Sequence, residues 1–391
     1  MKVALLGNMN NLMFSVTRHL RDRGVDADLL AFDDDPKHFH PSLDTFSLDY
    51  QRYFRSLPWG TPERCLTVSK EAVARTLAPY DVLVGCGAAP AFAFRGGRTL
   101  DLFIPYGSDL TDHPFRLPRL NRRSLRSVAA FPILQRQGLR RTRAVLGDPS
   151  VAIEPMLERL DYPGQRIVSS PPLVHPPTYT PELLLEYQTR CHWFQEVRAL
   201  REEADVLVFT HGRHLWKSLE SRNSTKGTDI ALQALAQAAR AIAPKKLRCV
   251  TFEYGPDVDA SRALAKELGL EDHILWLPFC GRKEIMTLMS VGDFCLGEFG
   301  PSYLSCGTIY EALTLGKPLI HNREDSLYAA HYPELYPMCQ ASTASEIASH
   351  IVDFASDPAP FRVKGEQGRQ WHEEYGVRRP VDAILQHLQL S

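Results

Sequence analysis

The 391-residue sequence contains no Cys-x-x-Cys pair, and its eight cysteines (65, 86, 191, 249, 280, 295, 306 and 339) stand singly, with no Cys/His cluster at zinc-finger spacing. That pattern excludes a disulfide scaffold and a zinc ribbon. Several of these thiols lie in apolar runs, such as Cys249 in LRCVTF and Cys295 in DFCLG, where they serve as small hydrophobes. A reducing, cytoplasmic setting is the expectation. Long apolar runs are also missing. The opening MKVALLGNMNN is too short in apolar residues for a signal peptide, and no later segment approaches the roughly 18 to 20 needed for a membrane span. A formal net charge of -1 speaks against a general affinity for nucleic acid.

A further absence lies in the first loop, Gly7-Asn8-Met9-Asn10-Asn11, which lacks the GxGxxG spacing that admits a dinucleotide pyrophosphate. No nicotinamide, flavin or other cofactor is therefore expected. What is present is an ordinary globular composition, 44% hydrophobic and 23% charged, in a chain longer than one hydrophobic core usually serves. Two α/β domains follow from the alternation of strand and helix patterns. Val3–Leu6, Ala27–Phe32, YDVLVGCG (80–87) and LDLFIPYG (100–107) read as buried parallel strands, the last two ending in glycine. The proline-dense VSSPPLVHPPTYTPE (168–182) reads as a semi-rigid connection, followed by a helix over 183–203. The pattern then restarts, with strands at 205–210, 247–255, 273–279 and 293–299 separated by helices.

The stretch SCGTIYEALTLGKPLI (305–320) follows the last of those strands, where open α/β sheets bind ligands. Gly307 and Thr308 suit a tight turn and helix N-cap, which would put Glu311 in the first helical turn. HGRHLW (211–216) follows the first strand of this half, and STKGTDIALQALAQA (224–238) opens its first helix. Arg213 and Lys226 would thus supply two cations at the same sheet edge, suited to a diphosphate.

In this order, Arg213, Lys226-Gly227-x-Asp229, GPDVD through LPF (255–279) and YEALTLGKPLI (310–320), the chain resembles GT-B glycosyltransferases over about 110 residues, in particular the retaining family 4 group. The resemblance implies two Rossmann-like domains whose parallel sheets face each other across a cleft. It assigns 1–180 to an acceptor domain, 181–375 to a nucleotide-sugar donor domain, and 376–391 to a helix returning to the first domain. It also implies that Arg213 and Lys226 hold the donor diphosphate and Glu311 the ribose, with Gly227, Phe279, Gly307 and Thr308 lining the donor site. Gly7, Asn8, Ser108 and Asp109 would approach from the first domain.

One departure concerns the sugar. Eight positions before Glu311, where the family carries a second Glu, stands Tyr303. Glu298, at the end of a strand, is the nearest replacement carboxylate, or else a solvated strand end. Asp109 is either a general base for an inverting reaction or an Asx-turn residue. Asp33-Asp34-Asp35 has the Asp-x-Asp spacing of metal-dependent transferases but is better read as a turn after a strand, and a metal-independent donor site is expected. Asp257 and Asp259 read as a loop after a strand.

Residues 115–143 hold nine arginines and no acidic residue. They fit either a face for an anionic membrane or lipid-linked acceptor, or a solvated helix pair, and Pro118 and Pro132 argue against one continuous helix. The expected activity is transfer of a sugar from a nucleotide-sugar donor, a UDP- or GDP-sugar, to a glycan or lipid-linked hydroxyl acceptor in polysaccharide or glycolipid synthesis. The place would be the cytoplasm, peripheral to the inner membrane face. The rivals are a nonhydrolysing sugar-nucleotide epimerase, faintly echoed by SCGTIYE, and a noncatalytic nucleotide-sugar-binding protein.

Overall fold

The computed structural model describes residues 1–33, 37–116, 125–149, 153–218 and 225–390. The chain divides into two compact units, one running from Met1 to His175 and resuming at Tyr375, the other spanning Pro176–Glu374.

The first unit is built on a parallel sheet of β1 (Lys2–Leu6), β2 (Asp26–Phe32), β3 (Phe54–Leu57), β4 (Val82–Gly85), β5 (Leu102–Phe103), β6 (Ala144–Gly147) and β7 (Gln165–Val168). Its seven strands lie in the order β3-β2-β1-β4-β5-β6-β7. Strands such as VALL and VLVG are apolar on both faces because helices cover both, leaving one core around Leu6, Phe92 and Phe103 and another around Leu5, Phe14 and Ile104. The C-terminal helix Arg379–Leu388 completes the second of these cores through Ile384 and Leu388.

The second unit repeats the plan with β8 (Val206–Thr210), β9 (Leu247–Phe252), β10 (Ile274–Leu277), β11 (Phe294–Leu296), β12 (Leu319–His321) and β13 (Cys339–Gln340), in the order β10-β9-β8-β11-β12-β13. All its strand pairs are parallel. Val208, Leu235, Phe294 and Ile351 lie in its core.

Two helix expectations are corrected. The single helix over 183–203 is two helices, Pro181–Tyr187 and Phe194–Glu203. The break comes at Gln188–Trp193, where Arg190 and Cys191 both return their N–H groups to the Tyr187 carbonyl and end the first helix in a tight turn. Conversely, Leu125–Arg141 runs as one helix through Pro132. Its packing outweighs the proline penalty: Phe131, Gln135 and Leu139 are buried, and Gln135 donates to the carbonyls of Gly87 (2.9 Å) and Asp109 (3.2 Å). Pro118 lies outside the described residues.

Candidate functional site

In the second unit the chain leaves β8 toward β9 and β10 on one side, while β11 leads to β12 and β13 on the other. The reversal between β8 and β11 makes a crevice at their carboxyl ends, the place where open α/β sheets hold ligands. His211, Gly212 and Arg213 follow β8, and Gly297 and Glu298 follow β11.

Lys226 is aimed into this region by its own backbone. Its N–H donates to the Leu215 carbonyl (2.7 Å) and its carbonyl accepts from Phe299 N–H (3.2 Å), joining the loops after β8 and β11. Gly227 caps the helix Thr228–Ala241 in the left-handed conformation (φ +69), and a Cβ there would lie 2.7 Å from Phe299 Cβ, so only glycine fits. The Lys226 ammonium donates to Glu298 Oε2 at 2.6 Å and sits 4.7 Å from the Tyr303 ring centroid. Burial acts to neutralise Lys226, but the Glu298 charge overrides it and holds the ammonium well above its ordinary pKa. Glu298 is itself buried. Its N–H donates to His321 Nδ1 (3.2 Å), which places the ring hydrogen on Nε2, where it donates to the Tyr303 carbonyl (3.0 Å). His321 thus positions both Glu298 and the loop that carries Tyr303.

The helix after β11 begins differently from the sequence expectation. Gly307 is its first residue and Cys306 its N-cap, extended at φ -160, with a carbonyl that accepts from Tyr310 N–H at 3.1 Å. Thr308 is therefore inside the helix, its hydroxyl 3.0 Å from Cys306 Sγ, and Glu311 lies beyond the first turn, which holds no acidic side chain. The Glu311 carboxylate is buried inside the unit. Arg282 Nε donates to one oxygen at 2.6 Å, and His211 Nε2 is 3.0 Å from the other. Burial would raise its pKa, and the Arg282 charge with His211 outweighs that, holding the carboxyl below its usual range. Glu311, in the middle of helix Gly307–Thr314, thereby ties that helix to the residue after β8 and to the start of helix Arg282–Met289. Gly212 approaches Thr308 at this junction.

The structure thus gathers Lys226, Gly227, Glu298, Gly307, Thr308 and Glu311 around one sheet edge. Arg213 belongs to the adjoining loop and is exposed. That loop is anchored from behind by Asp257, which accepts from the N–H groups of Trp216 and Lys217, both at 2.7 Å, and of Ser218. Phe279 follows β10, 43% exposed, its ring 5.5 Å from Tyr254. Sequence reasoning missed Arg282 and His211. The one local signal for Arg282 was a cation at a helix N-terminus, where it opposes the helix dipole and needs a counter-charge elsewhere.

In the first unit the corresponding reversal lies between β1 and β4. Gly7 donates to the Leu30 carbonyl at 3.0 Å. Asn8 is buried, with its amide donating to Asn11 Oδ1 (2.9 Å) and the Phe39 carbonyl and its oxygen accepting from Phe14 N–H (2.8 Å). Asp109 has no exposed surface and accepts from the N–H groups of Gly87 (2.9 Å), Gly107 (3.0 Å) and Tyr106 (3.1 Å). Burial pushes its pKa up to about 7 against the pull of those donors. Both side chains brace loops as placed, and neither offers an open polar atom to an acceptor. Ser108 opens the short helix Ser108–Thr111.

Asp33 is an exposed turn residue after β2, while Asp34 and Asp35 lie outside the described residues. Arg122 and Arg123 of the arginine-rich segment are likewise outside them. Of its other arginines, Arg116, Arg140 and Arg143 pair with Asp112, Asp161 and Asp101, and Arg141 covers the Phe94 ring. Among the described residues, no helix is long and apolar enough to cross a membrane.

No family model matches the chain, and no curated protein matches it. Solved structures do. Anabaena HepE in complex with UDP and glucose is 16% identical with a TM-score of 0.63, covering 100% of this chain and 99% of that one. A glycosyltransferase from Rickettsia africae is 12% identical with a TM-score of 0.59, covering 100% and 99%. UDP-GlcNAc 2-epimerase from Neisseria meningitidis bound to UDP-GlcNAc is 14% identical with a TM-score of 0.55, covering 100% of both chains. At such identities the likeness establishes the fold: this chain has the GT-B fold, with Rossmann-like parallel sheets of seven and six strands.

Proposed function

We propose that the chain is a glycosyltransferase that moves a sugar from a nucleoside-diphosphate sugar to an acceptor hydroxyl, with retention, as its resemblance to the family 4 enzymes implies. The observation that carries this reading is the pair of half-buried Lys226 and buried Glu298 at the sheet reversal, beside a helix start that carries no acidic side chain in its first turn. A donor diphosphate would compete with Glu298 for the ammonium and would also be favoured by the positive end of helix Gly307–Thr314. Glu298, released from Lys226, would then face the sugar hydroxyls in place of the family Glu replaced by Tyr303. Arg213 would add a second cation. The UDP complexes of fold neighbours such as Anabaena HepE support a uridine diphosphate donor. The acceptor would be a glycan or lipid-linked glycan at the cytoplasmic face of a membrane, and donor binding would need no metal.

A second reading is sugar-nucleotide epimerisation, favoured by the likeness to UDP-GlcNAc 2-epimerase. Incubating the protein with UDP- and GDP-sugars, with and without saccharide acceptors, separates the two. Transfer only when acceptor is present supports the first reading, and C2-inverted donor without acceptor supports the second. Stabilisation by nucleotide with neither product would mean a binding protein. A panel of nucleoside diphosphates in a thermal-shift assay identifies the base.

A further inference from the structure

His19 and Asp22 lie three residues apart on the helix Leu12–Asp22 of the first unit, so both project from one helix face. His175, from the proline-rich stretch and the last residue before the chain leaves that unit, meets them there. Its Nε2 is 2.7 Å from Asp22 Oδ2, and the two imidazole rings are 4.7 Å apart. One donor atom from each of the three side chains falls within 4.8 Å of the other two, the one such cluster among the described residues. We infer that His19, Asp22 and His175 form a binding site for a divalent transition-metal ion, zinc foremost.

Two imidazoles and one carboxylate with a position left for water is a donor set that zinc accepts at tetrahedral geometry. Both imidazoles are buried, and a neutral imidazole nitrogen is the form that offers a lone pair to a metal. The His19 ring is oriented by the Val174 carbonyl, 3.2 Å from Nε2, the kind of backing that fixes metal-ligating histidines. Arg18 is the neighbouring cation that would oppose a metal, but its guanidinium pairs with the buried Asp44 carboxylate. Zinc–ligand bonds near 2.1 Å require donors roughly 3.4 Å apart, so the cluster closes by a small adjustment. Asp22, with its side chain 54% exposed, supplies that movement and the route of entry. The bound ion would pin the departing chain at His175 to the first helix of the first unit. The separation of 153 positions from Asp22 to His175 hides this site from any reading of ligand spacing.

The test uses the full chain, stripped with chelator and titrated with Co(II) as a visible-absorbing probe, then with Zn(II). Expected are one equivalent of Co(II) with d–d bands of tetrahedral intensity, displacement by Zn(II), and a higher melting temperature with Zn(II). Asp22→Asn preserves shape at a half-exposed position, and His175→Gln removes the second anchor. Loss of an outer-shell partner alone weakens metal binding about 10- to 100-fold, so each variant should lose at least about tenfold in affinity and most of the thermal shift. Failure of the wild type to bind either ion would overturn the inference. So would binding unchanged in Asp22→Asn, which would move the metal to other residues.

Discussion

Lys226 Nζ and Glu298 Oε2 are 2.6 Å apart, although Lys226 stands just before a helix and Glu298, 72 positions later, just after a strand. Each charge is partly or wholly removed from water, so each depends on the other until a ligand intervenes. Lys226→Met should therefore destabilise the protein by stranding Glu298, and adding Glu298→Gln should restore part of the loss. Coupling of such neighbours is about 0.5–3 kcal/mol in urea unfolding. Strict additivity would show that the pair is not coupled. If Lys226 also grips a donor diphosphate, Lys226→Ala should weaken UDP binding at least about tenfold, from a loss of roughly 1.5–3 kcal/mol. Calorimetric titration of a folded variant with unchanged UDP affinity would remove Lys226 from the site.

Glu311 should make the protein acid-sensitive. Its folded pKa is depressed below the ordinary 4.5, so its contribution is full above that value and is lost as pH falls through the folded pKa. Glu311→Gln should flatten the fall in unfolding free energy below pH 4.5 and cost about 3–5 kcal/mol at neutral pH by leaving Arg282 buried without its counter-charge. Urea midpoints of both proteins from pH 3 to 7 measure this. Identical slopes would show that the pair does not govern acid stability.

The sheets were legible because buried parallel strands are short apolar runs closed by glycine, as in VLVGCG and LDLFIPYG, and local pattern suffices to find them. Lys226 was legible because the turn before a helix must open with special backbone geometry, and Lys-Gly-Thr-Asp supplies it. The start of helix Gly307–Thr314 was misread because nothing local tells an extended Cys306 from a Thr308 cap. Arg282 was invisible because its partner is 29 residues away and only packing brings them together. Pro132 misled because burial of one helix face outweighed a local penalty.

Asp109 should act in the opposite sense to Glu311. Its folded pKa is raised from 3.8 to about 7, so between those values the folded protein retains a proton that the unfolded chain has lost. Stability from this group therefore falls as pH rises through that window. Asp109→Leu removes the titrating group and should erase this component of the slope between pH 4 and 7, while lowering stability overall because three N–H groups lose their acceptor. A slope unchanged by the substitution would mean that Asp109 titrates normally.

The helix through Pro132 predicts a packing defect at a defined point. A Cβ on Gly138 would lie 2.1 Å from the Pro90 carbonyl oxygen, a backbone atom that cannot swing aside. Gly138→Ala should force helices Ala89–Arg95 and Leu125–Arg141 apart and cost about 1–3 kcal/mol, read as a lower denaturant midpoint. An alanine variant as stable as wild type would show that the helices separate without penalty.

The arginine-rich segment offers a test of the proposed membrane-borne acceptor. Arg116, Arg140 and Arg143 pair with carboxylates, whereas Arg136 is exposed on helix Leu125–Arg141 beside the exposed Ile133. Exposed ion pairs are weak, so an anionic surface can compete for these arginines. If residues 115–143 meet such a surface, liposome cosedimentation should require acidic lipid and weaken with salt, because exposed charges are screened beyond about 10 Å at 0.1 M. Replacing Arg122, Arg123 and Arg126 with Gln should reduce that binding while leaving UDP affinity unchanged, since Lys226 and Glu298 belong to the other unit. Wild-type protein that ignores acidic liposomes at low salt would make the segment a solvated face, with its ion pairs left intact.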